Sequence, residues 1–207
     1  ALALADAGSD DALSACLLDA AALAQSGDAQ AAAAQVGTLR TRLLALTDPL
    51  LAVNLWGYLA MVYALAGRLD EGIDALQMQR RLAQASGQAD DEATALSSLA
   101  GQYAQRGDVE LAVAEGLLAV QLQTRLGAGL ARAGALLNLA VAQVSLYALR
   151  DALQTLQQVH EAAASLPGVG AELACIAQDT ESELWLRAHQ PQRAAAALQA
   201  LPTEGVS

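Results

Sequence analysis

The chain has 207 residues, with 22 acidic side chains against 11 basic ones, every basic one an Arg, and a net charge of −11. An acidic chain without a basic stripe excludes a nucleic-acid binder, which needs clustered Lys and Arg, and the pair Arg80-Arg81 is too small to alter that. Hydrophobic residues reach 55% while aromatics make up 3% and Phe is absent, so the interior must be built from Leu, Ala and Val, and an all-α protein is expected.

Residue columns recur every forty positions. Ala20, Ala60, Ala100 and Ala140 share one column, Gly27, Gly67 and Gly107 a second, and Ala32, Gly72, Ala112 and Ala152 a third. A fixed period in this range marks stacked helical repeats, each needing a neighbour to cover an apolar face. No Pro-, Ser- or charge-rich linker interrupts the series, so a single elongated domain is expected over 1–207. Its repeats fall at about 9–47, 48–88, 89–128 and 129–166, with a closing hairpin at 168–201, giving five hairpins and ten helices.

In chain order, the first repeat keeps Gly27-Asp28 but carries Asp19 and Leu23 where later repeats have Leu and Tyr. In the second, Leu55, Leu59, Val62 and Tyr63 form a stripe at helical spacing, Gly67 breaks it, and a return helix spans about 69–85 before Gly87. The third opens on Asp90-Asp91-Glu92, where negative charge suits a helix start. Its first helix spans about 90–106 with the stripe Leu96, Leu99, Ala100 and Tyr103. Gly107 ends that helix in the left-handed region, and Asp108 is placed to cap the next. The return helix, about 109–126, has stripes on two sides (Val109, Val113, Leu117, Val120; Leu111, Leu118, Leu122) and so should be sandwiched between neighbours, with Gly127 closing it. The fourth repeat starts near Leu130 and keeps Leu136, Leu139 and Ala140, but Tyr147 stands in the Gly column, which predicts a different turn. After Leu166-Pro167-Gly168 a last pair, 169–189 and 191–201, lies out of register as terminal capping units do, and Pro191 suits a helix start.

The second repeat reads Trp56-x₂-Leu59-Ala60-x₂-Tyr63, then Gly67 and Gly72-x₃-Leu76; the third has Leu96-x₂-Leu99-Ala100-x₂-Tyr103 and Ala112; the fourth has Leu136-x₂-Leu139-Ala140 and Ala152-x₃-Leu156. These motifs, which cover about 10–165, resemble the tetratricopeptide (TPR) repeat, W-x₂-L-G-x₂-Y followed by A-x₃-F and a terminal Pro. Two features depart from it: the period is forty, and the terminal Pro is replaced by Gln84, Thr124 and Ala164, both pointing to lengthened helices. The resemblance implies a right-handed α-α superhelix of about five hairpins. Long-repeat arrays of this kind are similar to the regulatory regions of bacterial signalling proteins, those preceding diguanylate cyclase domains or forming the effector domains of MalT-like activators.

Catalytic and metal-binding constellations are missing from the sequence. Neither His160 nor His189 has a carboxylate or Cys at ligand or triad spacing, and Glu181 and Glu183 fall on different helix faces. Gly127-x-Gly129 and Gly168-x-Gly170 lack the remaining glycines, strand and Lys of a phosphate loop. Cys16 and Cys175 are far apart and outside any zinc spacing, so they read as ordinary residues of a reducing, cytoplasmic compartment. The opening Ala1-Leu2-Ala3-Leu4 has no basic region before it and so lacks the form of a signal peptide, while the start without Met leaves an excised or processed beginning open. No apolar run reaches the roughly 18 residues of a membrane span. The reading is a non-enzyme with no cofactor, no metal and no membrane or nucleic-acid partner.

What remains is a groove. The TPR resemblance implies that the first helix of each pair lines a concave face, whose candidate contact residues are Asn54, Tyr58 and Met61 in the second repeat. The third supplies Thr94, Ser97, Ser98 and Gly101, and the fourth Leu137, Asn138 and Val141. Some of these positions are equally placed to pack against the next repeat. The surface lacks the basic residues that grip a C-terminal carboxylate, so an extended or helical peptide or protein segment is the expected partner. Trp56 falls on the family's Trp column and reads as core, while Trp185 either covers the end of the stack or docks a partner. A small-ligand or peptide sensor attached to an output domain is the alternative, and self-assembly into a homodimer through an uncapped end is another.

Overall fold

The computed structural model describes residues 10–199, and all its regular elements among the described residues are α-helices. They fall into two units, divided after Gln102. The first holds α1 (Asp10–Gln25), α2 (Ala29–Gly37), α3 (Arg40–Leu44), α4 (Pro49–Leu65), α5 (Leu69–Ser86) and most of α6 (Ala89–Arg106). The second holds the last turn of α6 and α7 (Val109–Leu126), α8 (Gly129–Ser145), α9 (Leu149–Ala164), α10 (Gly170–Arg187) and α11 (Pro191–Gln199).

Within the first unit α1 packs on α2 and α4, and α4 on α5. The helix starts follow from local chemistry. The Asp48 carboxylate accepts from the Leu50 and Leu51 amides at 2.9 and 3.3 Å, with Pro49 in the first turn where its missing N–H costs nothing. Asp28 caps α2 through the Ala31 amide at 3.3 Å. Leu17, Trp56 and Leu59 are fully buried, so Trp56 is core, as its column implies. Small residues let polar side chains into that core: Gly57 faces the buried Gln79, and Gly72 faces the buried Gln102.

Among the described residues eleven helices stand where ten are expected, because the return helix of the first repeat is divided. The N–H of Leu39 bonds to Val36 three residues back at 2.9 Å, and the Thr38 hydroxyl donates to the Gln35 carbonyl at 3.2 Å, which separates α2 from α3. At the other end α10 stops at Arg187, before the expected 189, and α11 is described to Gln199, so the expected end at Leu201 lies outside the described residues.

The turn at Tyr147 does not differ from its counterparts. The Gly67 and Arg68 amides bond to Ala64 and Tyr63 at 3.0 and 2.9 Å; the Tyr147 and Ala148 amides bond to Val144 and Gln143 at 3.1 and 2.9 Å in the same pattern. Tyr147 adopts the left-handed conformation that Gly supplies elsewhere, with φ 59°, and His189 repeats it at φ 57°. Two satisfied carbonyls per turn offset the left-handed cost of a residue with a Cβ, about 1–2 kcal/mol.

Two further expectations are corrected. Asp108 occupies the N-cap position of α7 but its side chain makes no cap: the carboxylate is taken by Arg106, which also stacks on Tyr103. Nor is α7 sandwiched by leucines. Its buried residues are Ala112, Gly116, Ala119 and Gln123, whereas Leu111, Leu117 and Leu118 are 49%, 53% and 44% exposed. Close approach at the small stripe, where Gly116 lies against Leu139, turns the larger side chains outward. The core of the second unit gathers Leu136, Leu137, Val144, Leu156, Val159 and Leu184, with Trp185 packed at its edge.

Candidate interaction site

Helix α4 presents a stripe to solvent at helical spacing. Asn54 is exposed, with its amide turned back onto the Leu50 carbonyl at 3.1 Å; Tyr58 is 38% exposed, and Met61 is half-buried with its sulfur beside the Gln25 amide at 3.8 Å. Two apolar residues extend this surface that the motif reading did not include. Leu65, one further turn along, is 48% exposed, as is Leu18 on α1, and Leu18 was findable because it shares the forty-residue column of Tyr58. Leu18 on α1 and Tyr58, Met61 and Leu65 on α4 thus leave apolar side chains at least partly exposed on two packed helices.

On α6, Thr94 is exposed and hydrogen-bonds its own helix at the Asp90 carbonyl, 2.9 Å away. Ser97, Ser98 and Gly101 are half-buried, so this helix offers small side chains and close access to its backbone. In the second unit, Asn138 is half-buried and Val141 is 38% exposed, but Leu137 is only 9% exposed and belongs to the core. Leu137 is therefore a packing residue with little to offer a ligand. Its column contains Gly57 and Ser97, and the larger side chain reaches inward where those cannot.

Two arginines of the first unit are held beside rings and acids. At the residue before α5, Arg68 pairs with Glu71 at 2.6 Å and stacks on Tyr63 at 4.9 Å. The hydrogen bond from Arg68 holds the Glu71 carboxyl below the usual carboxylate range, and Glu71 in turn raises the guanidinium above its ordinary value. Arg40 approaches Trp56 at 5.9 Å and Asp74 at 3.6 Å.

The tertiary fold does bring His160 a carboxylate that sequence spacing did not reveal. Its Nε2 is 3.7 Å from Glu181, whose other oxygen accepts from the Trp185 indole at 3.0 Å, while Arg193 stacks on that indole at 4.7 Å. Glu183 lies apart, paired with Arg187 at 2.7 Å. Glu181 thus holds the Trp185 indole within α10 and faces the His160 imidazole of α9. Among the described residues no group of three or more His, Cys, Asp and Glu is arranged to hold a metal ion, and no helix is long and apolar enough to cross a membrane. Cys16 and Cys175 are free and half-buried.

No protein-family model matches the chain, and no curated protein matches it in sequence. Solved structures are similar in fold. BtubC (BKLC) from P. vanneervenii is 20% identical with a TM-score of 0.72, over 91% of this chain and 82% of that one. A Podosopora anserina kinesin light chain-type protein with nearly identical TPR-like repeats is 19% identical with a TM-score of 0.74, over 92% of this chain and 93% of that one. NprR in complex with its cognate peptide NprX is 15% identical with a TM-score of 0.68, over 96% of this chain and 58% of that one. At such identities the likeness establishes the fold: helix hairpins of the TPR-like solenoid class.

Proposed function

We propose that this chain is a non-catalytic interaction module that takes a peptide or protein segment on the first-helix faces of its hairpins. The observation that carries the reading is the surface of α4 and α1, where Leu18, Tyr58 and Leu65 remain exposed around Met61 while Leu17, Trp56 and Leu59 on the same helices are buried. Exposed aromatic and Met side chains suit partner recognition, and they outrank polar neighbours in binding energy. The small residues Ser97, Ser98 and Gly101 on α6 would let a partner backbone come close, and Asn138 and Val141 on α8 would serve in the second unit. With neither Lys nor Arg among them, the candidate positions would not grip a C-terminal carboxylate, so side-chain burial would dominate.

The forty-residue period and its likeness to signalling TPR regions favour a place in a cytoplasmic bacterial signalling protein, where occupancy of the module would control an attached output domain. A peptide sensor is the second reading, favoured by the fold shared with NprR, which is solved with a peptide. With an identified partner segment in hand, Tyr58→Ala and Met61→Ala should each weaken binding about tenfold or more while leaving the helical spectrum intact. Unchanged affinity in both variants would remove the proposed face.

A further inference from the structure

The fourth repeat lacks a ring and a cation that the second repeat supplies to itself. In the Tyr63 column the third repeat has Tyr103 and the fourth Gln143. Tyr63 and Tyr103 are buried, at 3% and 6% exposed, and each carries an arginine over its face: Arg68 at 4.9 Å and Arg106 at 5.3 Å. Arg68 is also held by Glu71 at 2.6 Å. Forty residues on, in the third repeat, the Arg68 and Glu71 positions hold Asp108 and Leu111; eighty on, in the fourth, the Tyr63, Arg68 and Glu71 positions hold Gln143, Ala148 and Asp151. The acid is kept; its arginine and the ring beneath it are replaced by smaller side chains.

A cleft of about 390 Å³ lies there, among α7, α8 and α9. Gln143 and Leu139 line it from α8, Leu117 and Val120 from α7, and Ala148 and Asp151 from the start of α9. Leu117, 53% exposed, and Leu146, 37% exposed, leave an apolar mouth open to solvent. Gln143 is only 6% exposed, and the oxygen of its side-chain amide accepts no hydrogen bond. A buried acceptor left without a donor is costly, so a ligand group that supplies one is favoured. The residues lining the cleft on α8 lie on the side of that helix away from Asn138 and Val141, so this cleft is separate from the first-helix face.

We infer that this cleft receives an aromatic side chain flanked by an arginine from a partner protein, the ring entering beside Gln143 and Leu139 and the guanidinium meeting Asp151. The occupant restores what Tyr63 and Arg68 provide within the second repeat: apolar area, a stacked cation and a counter-ion for the retained carboxylate. The inference rests on the interaction-module reading but concerns a second face and gives its partner a chemistry.

The test titrates the isotope-labelled protein with the peptide acetyl-Ala-Tyr-Ala-Ala-Arg-Ala-amide, and with versions carrying Gln for Arg or Ala for Tyr, at about millimolar concentration. Saturable shifts should centre on Gln143, Leu117 and Asp151. They should vanish with the Tyr-less peptide, and affinity should fall about two- to fivefold with the Arg-less one, as expected for an exposed ion pair. The double variant Gln143→Tyr with Ala148→Arg fills the cleft from within and should abolish binding. Asp151→Asn, which alters no packing, should erase the preference for the Arg peptide, and it serves if the double variant does not fold. No saturable shift, or binding that survives the folded double variant, overturns the inference. Shifts confined to Tyr58 and Met61 overturn it too, while leaving the interaction-module reading in place.

Discussion

Gly170 lies directly against the carbonyl oxygen of Ala163, leaving no space for a Cβ at the first turn of α10. Backbone cannot yield as a side chain can, so Gly170→Ala should cost about 1–3 kcal/mol in chemical denaturation. Gly72→Ala is the control. There an added Cβ would meet the end of the Gln102 side chain, which can swing aside, and Ala restores about 1 kcal/mol of helix propensity. A loss at Gly72 as large as that at Gly170 would contradict this account of the two sites.

The shared turn geometry predicts substitutions of opposite sign. At Gly67, with φ 70°, an added Cβ meets no atom within 4 Å, so Gly67→Ala incurs only the left-handed backbone cost. At His189, φ 57°, that cost is already present and Gly relieves it. After allowing for the greater entropy of unfolded Gly, thermal unfolding should show Gly67→Ala less stable and His189→Gly more stable, each by about 0.5–1 kcal/mol.

Acid should loosen the pairing of Arg68 with Glu71. The Glu71 carboxyl is depressed in the folded protein, so its contribution is present above its unfolded value of about 4.3 and is lost as pH falls through the lower folded value. Both side chains are more than a third exposed, at 39% and 38%, so screening limits the contribution to about 1 kcal/mol or less. Glu71→Gln should therefore flatten the stability curve slightly below that value and leave the curve at neutral pH parallel to wild type.

The contacts of Glu181 with Trp185 and His160 are separable from binding. Glu181→Gln leaves an acceptor for the Trp185 indole at one oxygen and removes the charge facing His160, 3.7 Å away. A loss of about 1 kcal/mol or less is expected, with a change in Trp185 fluorescence and no change in partner affinity at the α4 face.

Much of the fold was legible because the repeat states it several times over. Gly67, Gly107 and the Ala columns mark turns and close contacts independently of any one hairpin, and the limits of α5, α6 and α7 fell within about two residues of expectation. What escaped depended on competition that a linear pattern does not record. Tyr147 keeps the glycine turn because the hydrogen bonds outweigh its Cβ, and Asp108 leaves its capping role because Arg106 takes its carboxylate. Leu117 and Leu118 turn outward because Gly116 brings α7 too close to α8 for them to fit between. For the candidate face, Tyr58 and Met61 came from the motif, and Leu18 needed only the period. The burial of Leu137 needed the third dimension.

The central claim, that partners bind across the first-helix face of the first unit, is tested most directly by photo-crosslinking. A benzophenone amino acid placed at Tyr58, at Ser98, or at Glu110 on the exposed side of α7 is irradiated with the partner segment, and the adducts are mapped by mass spectrometry. Adducts are expected from positions 58 and 98 to neighbouring residues of one segment, lost when Met61→Ala is added, and none from position 110. Adducts from position 110 alone, or adducts from position 58 that persist unchanged with Met61→Ala, would contradict the claim.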